Sequence, residues 1–346
     1  MTSTSIPTGD NALLKETISE RKISRVERLL GPENYRILTG LLKTPASILG
    51  FILIGIFVLV AVFAPVIIPP VTKDPYTIPR DGFSGEPKPP GTVWKRNAPD
   101  VPFWYKTVTG NDEWTHIMGT AQGQYDIFYG AVWGTRTAFR TGFIVVVSTF
   151  LIGIIIGSVS AFYGGLVDNI IMRIVDVFMT LPFILMALIM AAVLTPVIGK
   201  SLIPSIIALV SFGWMGYARI IRGDILSVKE RDFVLAARVV GVKNYRILFR
   251  HILPNAIFPT LVLASLAIGD VVLSFAALSF LGIGTQVGYA DWGQILSFAR
   301  NWITSLQQYW YIVIFPGVTL VLFVMGWNLV GDALRDVLDP RMRGKT

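Results

Sequence analysis

VKERDFVLAARVVGVKNYRILFRHILPN, Val228 to Asn255, is a basic, helix-forming segment held between two long apolar stretches. Up to Val240 its residues favour a helix on which Ala236 and Ala237 form a small, closely approachable face. Gly241 then supplies a point where the backbone can turn without a Cβ penalty. The spacing predicts a second helical run from Tyr245 to Leu253, stopping at Pro254, which opens the following apolar helix. The product is helix, glycine turn, helix. A short, rigid, basic element of this kind suits insertion into a groove on another protein. It also suits an amphipathic connector whose arginines snorkel to lipid headgroups.

Working outward, the flanking stretches are two of six that reach the roughly 20 apolar residues needed to cross about 30 Å of hydrocarbon. They run Ala46–Ile68, Phe139–Tyr163, Ile170–Leu194, Ile203–Ile221, Ala256–Leu281 and Tyr311–Val330. The fourth is short and carries Gly213 and Gly216, residues that let membrane helices approach closely. The first follows some 45 polar residues and no cleavage site comes after it, so it is read as retained. Composition agrees: 53% of residues are apolar, only 15% charged, and mean hydropathy is +0.61. A soluble surface needs about 25% charge. The fold class expected is an all-α polytopic membrane protein with six transmembrane helices.

Basic residues mark the cytoplasmic side. Placing both termini inside puts 20 of the 30 lysines and arginines there, eight of them in 219–253. Six of the remainder lie in one long loop, where charge has little effect on orientation. The net charge of +8 therefore reports topology and headgroup contact, with no call for nucleic acid. The divisions expected are a cytoplasmic tail 1–45, a first span 46–68 and an extracytoplasmic loop 69–138 with an insertion near 76–115. A core 139–333 follows, containing the cytoplasmic loop 223–254, and then a cytoplasmic tail 334–346. In the first tail, Leu13, Leu14, Ile18, Ile23, Val26, Leu29 and Leu30 recur at helical spacing, which fits a surface-lying amphipathic helix or a docking arm. The loop is rich in proline and tryptophan (Pro87, Pro89, Pro90, Trp94, Trp104, Trp114). That composition fits an interfacial belt, a small packed cap or a contact surface for an external partner.

Catalytic chemistry has little material here. There are no cysteines and only two histidines, His116 and His251, so no thiol nucleophile or zinc ribbon is available, and a histidine metal centre is poorly supplied. The GKS at 199–201 lacks the phosphate-loop glycine, which is Leu194, and lies between apolar spans. No catalytic residue, metal ligand or bound cofactor is assigned. The polar residues inside spans are the other candidates, because a buried carboxylate must face a cavity or a partner. Asp176 either lines a pathway or pairs with Arg173 at i−3. Asp270, with no basic neighbour in sequence, is expected at a pathway or subunit contact. Pro182 is expected to kink the third span, and Asn328 to hydrogen-bond between helices.

The order Ala236-Ala237, three residues, Gly241, then Ile252-Leu253-Pro254 resembles the signature loop of ABC importer permeases. Leu235 stands where that family usually has glutamate. RHILPN, Arg250 to Asn255, is similar to the subfamily importing di- and oligopeptides. HIMGTAQGQYDIFYGAVWGTRTAF (His116–Phe139), LSFLGIG (Leu278–Gly284), DWGQIL (Asp291–Leu296) and Pro316–Arg341 resemble blocks of its C-type subunit. Phe275 occupies another common glutamate position. The resemblance implies a type I ABC importer permease fold, with Leu235, Ala236, Ala237, Gly241, Tyr245, Arg246, Arg250 and Pro254 seating in an ATPase subunit. It further implies two ATPases carrying ATP and magnesium, a second homologous permease and an extracytoplasmic substrate-binding protein. The cargo implied is di- or oligopeptides, with oligosaccharides carried by some relatives. A secondary transporter is the rival class, but neither inverted repeats nor a carboxylate relay is apparent. A non-transport scaffold would explain the spans and leave the loop unexplained.

Overall fold

The computed structural model describes residues 40–41 and 44–338. The periodic apolar positions from Leu13 to Leu30 lie outside these. The described helices run α1 (Pro45–Ile67), α2 (Phe103–Thr109), α3 (Ile127–Tyr163), α4 (Gly165–Met179), α5 (Phe183–Ile198), α6 (Leu202–Lys229) and α7 (Asp232–Val239). They continue with α8 (Leu253–Leu266), α9 (Ile268–Phe280), α10 (Trp292–Phe298) and α11 (Tyr311–Leu338). Five helices or continuous helical runs are long and apolar enough to cross a membrane, and the bent pair α4–α5 makes a sixth.

The most extensive packing is α3 against α6. Gly153 and Gly157, at i and i+4, make it possible: a Cβ at Gly157 would stand 2.4 Å from the Ala218 carbonyl oxygen. Small residues at that spacing are how helices in lipid gain close van der Waals contact. On the other side α1 lies along α11, with Gly50 against Leu329 and Val330, and Gly326 against Leu53. Exposed leucines, isoleucines and valines along α1, α4 and α5 leave broad apolar faces for lipid or a partner chain.

Three spans differ from their expected form. The second begins at Ile127, twelve residues before Phe139, and extends to 37 residues. Its first turns are buried among protein and so need no run of apolar residues. The side chain of Asp126 caps it, accepting the Tyr129 N–H at 2.6 Å. The third span is broken: α4 and α5 meet at 90°, with the exposed Pro182 at the N-cap of α5. A proline N-terminal to a helix removes an intrahelical donor and pre-sets the extended conformation seen there. The fifth is two helices meeting at Ala267, where no proline stands.

Residues 69–126 and 282–310 fold together into a cap at one end of the bundle. Isolated bridges tie it, including Thr77 with Tyr289 and Arg80 with Tyr125. Trp94, Tyr105 and Trp114 are buried in it around α2, and the indole N–H of Trp104 donates to Ile67 O at 3.0 Å. The tryptophan-rich loop is thus a packed cap whose core is continuous with the ends of α1, α3 and α11.

Candidate functional site: the hairpin at the end opposite the cap

The segment after α6 leaves the bundle and returns. α6 ends at Lys229, whose ammonium donates to the carbonyls of Ala161 and Phe162 at 3.2 and 3.0 Å, closing the last turn of α3. Arg222, one face higher, makes two 2.5 Å hydrogen bonds to Asp168 of α4, and Ser160 donates to the same carboxylate. The base of the hairpin, at the end of α6, is therefore fixed to α3 and α4 by charge-assisted bonds.

α7 then projects outward. Its end is a Schellman closure: Gly241 N–H donates to Arg238 O at 3.0 Å and Val242 N–H to Ala237 O at 3.1 Å. Gly241 sits at φ +79°, the left-handed region that motif requires. Val234, Ile247, Leu248 and Ile252 pack with Ile154, Ile221 and Ile225, and Ala237 and Val242 lean on the same cluster. Each fully buried aliphatic side chain contributes about 1.5–3 kcal/mol, so the hairpin is held as a rigid body on α3 and α6. The apolar residues that remain point away. Val239 is 88% and Val240 82% exposed, with Phe233, Leu235, Tyr245 and Phe249 also exposed. An apolar tip ringed by Arg238, Arg246 and Arg250 has the composition of a protein interface.

The loop residues therefore divide. Leu235, Ala236, Gly241, Tyr245, Arg246, Arg250 and Pro254 are exposed, while Ala237 is half-buried against the bundle. The two alanines do not form one approachable face, because 100° separates neighbours on a helix and only Ala236 turns outward. The return limb also differs from expectation. Asn244–Arg246 leads into a π-helical stretch, Ile247–Ile252, that runs straight into α8 through Pro254. Pro254 stands in the first turn of α8, as expected, but no break separates that helix from the stretch before it. The proline's missing N–H leaves the preceding turn one donor short, and the backbone widens into i→i+5 bonding just before it. Val239 and Val240 were not singled out in the sequence. An apolar pair beside the glycine of a basic loop was the available signal.

The intramembrane candidates do not converge. Asp176 of α4 pairs with Arg219 of α6 at 2.5 Å, in place of Arg173, and both side chains are about half exposed in the isolated chain. A partner 43 residues away cannot be read from local spacing. Asp270 is exposed in the first turn of α9, and Asn328 is exposed on α11 without a side-chain hydrogen bond among the described residues. Phe275 is 2% exposed and packs with Val145, Ala187 and Leu278, so it fills the bundle and lines no open path.

A second polar centre went unrecognised. His116, fully buried in the cap, has Nδ1 2.6 Å from Asp126 Oδ2 and Nε2 3.1 Å from Asp81 Oδ2. Lys88 also reaches Asp81, which accepts the backbone N–H groups of Lys95 and Arg96 at 2.7 and 2.6 Å. Burial pushes the Asp81 carboxyl up, but the bonds from Lys88, His116, Arg96 and Lys95 outweigh it and hold it below the usual carboxylate range. Trp94 lies against the His116 ring, 4.5 Å between centroids. Because Asp126 also caps α3, the network fastens cap to bundle.

The described residues form a bundle of helices long and apolar enough to cross a membrane, with a braced, outward-pointing hairpin at one end. Residues 126–344 match the model of the binding-protein-dependent transport system inner membrane component family, and the chain belongs to that family. It is 35% identical over 303 residues to a dipeptide transport system permease protein of Alkalihalophilus pseudofirmus, covering 87% of this chain and 88% of the relative. It is 34% identical over 297 residues to an oligopeptide transport system permease protein of Bacillus subtilis, covering 86% of each. Among solved structures, a chain of an inward-facing MetNI methionine ABC transporter aligns at a TM-score of 0.46 and 22% identity, over 62% of this chain and 98% of that one.

Proposed function

We propose that the chain is a non-catalytic permease subunit of an ATP-driven importer, and that residues 223–254 are the element through which separate ATPase subunits move it. The observation that carries this reading is the hairpin: rigidly seated on α3 and α6, with an apolar, arginine-bearing tip that none of the described residues covers. ATP and magnesium belong to two partner ATPases. A second, homologous permease completes the pathway against the exposed faces of α4, α5 and α11, where Asp176, Pro182 and Asn328 lie. The hairpin and both termini are cytoplasmic and the cap faces outward, as the distribution of basic residues requires. An external binding protein delivers the cargo, and the relatives named for dipeptides and oligopeptides support peptides as that cargo.

The absence of cysteine makes the test direct. A single cysteine at Val239 is labelled with a membrane-impermeant maleimide in right-side-out and in inverted vesicles, then crosslinked in the assembled transporter. Labelling in inverted vesicles alone, with capture of the ATPase subunit, is expected. Labelling from the outer face, or no capture of an ATPase, overturns the reading.

A further inference from the structure

One feature of the cap is unused by the hairpin, the spans or the His116 network. A cleft of about 500 Å³ opens between the cap loop and the segment after α9, and it is lined by Arg80, Gln122, Tyr125, Phe298, Arg300 and Asn301. Two guanidinium groups and no carboxylate line it. Elsewhere in the cap Lys88 pairs with Asp81 and Lys106 with Asp112, while Lys73, Lys95 and Arg96 have no ion pair among the described residues and line no cleft with a second cation. Arg80 and Arg300 have no ion pair among the described residues. Arg80 donates Nε–H to Gly123 O at 2.8 Å and lies over the rings of Phe83 and Tyr125. Arg300 lies over Phe280, and its Nε–H donates to Ser297 O at 3.3 Å.

The cleft is also held in shape. Tyr125 and Phe298 stack at 5.2 Å with 5° between their planes, joining its two walls, and Asn301 donates to Gln122 Oε1 at 2.7 Å across it. Gly123 stands at φ +76°, turning the cap loop so that its carbonyl receives Arg80. A guanidinium pinned by an aromatic ring and a backbone acceptor keeps its outer N–H groups aimed in one direction, which lowers the entropy lost when a carboxylate is bound. Val287, 65% accessible, lines the cleft, and Phe83, 77% accessible, lies against the Arg80 guanidinium. Arginine and aromatic residues beside exposed apolar ones make up the usual composition of a protein-binding hot spot.

We propose that this cleft receives an exposed aspartate or glutamate side chain of the protein that docks on the cap. The proposal rests on the reading above that the cap faces outward and meets a delivering protein. It adds the chemistry of the contact: a carboxylate entering between Arg80 and Arg300, with Phe83 and Val287 sealing its edge from water. The unmatched charge argues for an acidic partner surface. The open mouth argues for a side chain presented by a large body, since a free small anion would need enclosure.

The test uses the complete transporter in proteoliposomes with its delivering protein at varied concentration and radiolabelled dialanine as cargo. Arg300→Gln, at an exposed position with a single local hydrogen bond, is expected to raise the half-saturating concentration of delivering protein about tenfold, with maximal uptake recovered at saturation. Adding Arg80→Gln should raise it further, while Arg80→Lys, which keeps the charge, should restore part of the loss. Half-saturation of the unmodified transporter should rise with ionic strength, and the variants should lose that dependence. Unchanged half-saturation in both arginine-to-glutamine variants overturns the proposal. A change that appears only in the cargo concentration needed, at saturating delivering protein, also overturns it and assigns the carboxylate to the cargo. Gly241→Pro serves as the control: if it stops uptake while the arginine variants behave normally, the cleft proposal fails and the coupling reading stands. If Gly241→Pro transports normally, the coupling reading itself has failed.

Discussion

Replacing Gly241 separates the backbone demands of the hairpin from its packing. The residue sits at φ +79°, and a Cβ built there meets nothing within 4 Å. Alanine therefore brings no clash, and its whole cost is the left-handed penalty of about 1–2 kcal/mol. At 1.4 kcal/mol per factor of ten, local opening of the hairpin rises roughly 5- to 30-fold. Asparagine tolerates this region better and should cost less than alanine. Proline cannot reach the angle at all and also removes the bond from the Gly241 N–H to Arg238 O, so about 3 kcal/mol or more is lost. The expected order of coupled uptake is Gly, then Asn, then Ala, with Pro inactive and all four inserted normally in membranes. Hydrogen exchange at the Val240–Val242 amides should accelerate in the order Asn, Ala, Pro, in step with transport-stimulated ATP hydrolysis. Unchanged exchange in the alanine variant would refute the backbone reasoning. Normal coupled hydrolysis in the proline variant would refute the mechanical role.

Two further outcomes follow from the cap and from the loop after α9. His116→Ala removes the ring that bridges Asp81 and Asp126, and although both keep other donors, each buried hydrogen bond lost costs about 1–3 kcal/mol. Limited proteolysis should then cut within 69–126 at protease levels that spare the unmodified chain, and unchanged resistance would show the bridge to be dispensable. Burial pushes Asp291 up to about 6, despite the bond its carboxylate accepts from the Gly293 N–H. Its folded value exceeds the ordinary 3.8, so its contribution to stability is present below about pH 4 and lost as pH rises through 6, a swing of about 3 kcal/mol. Asp291→Asn keeps an acceptor for the Gly293 N–H and removes the proton, so thermal unfolding in detergent should lose its slope between pH 4 and 6.5. An unaltered slope would locate the titration elsewhere.

What the sequence made legible was whatever depends on composition within one turn or one span. The apolar windows located the membrane helices because lipid leaves no other choice. Gly241 was readable because a left-handed residue closing a helix is nearly always glycine. The extension of α3 back to Ile127 was not readable, since protein and not lipid surrounds it, and polar residues such as Thr135 and Arg136 are tolerated there. Pro182 announced a disturbance without announcing a right-angle elbow, and at Ala267 no residue announced a break. The pairings of Asp176 with Arg219 and of Asp81 with His116 join residues more than 30 positions apart. Only the assembled bundle brings them together. His116 and Asp126 were noticed as members of a motif, yet the buried bridge between two carboxylates depends on Asp81, which no motif contained.

At 1.5 Å per residue, the 37 residues of α3 make a spindle about 55 Å long, with no proline along its length. One tip is riveted to the folded domain above by Asp126, and the other is clasped by the ammonium of Lys229 beside the hairpin below. The elbow at Pro182 and the junction at Ala267 give neighbouring helices places to yield. α3 has none, so whatever rocks one tip must swing the other in the same stroke. On the function proposed above, news of docking and news of nucleotide would share a single solid axle, with no relay of side chains to be passed along.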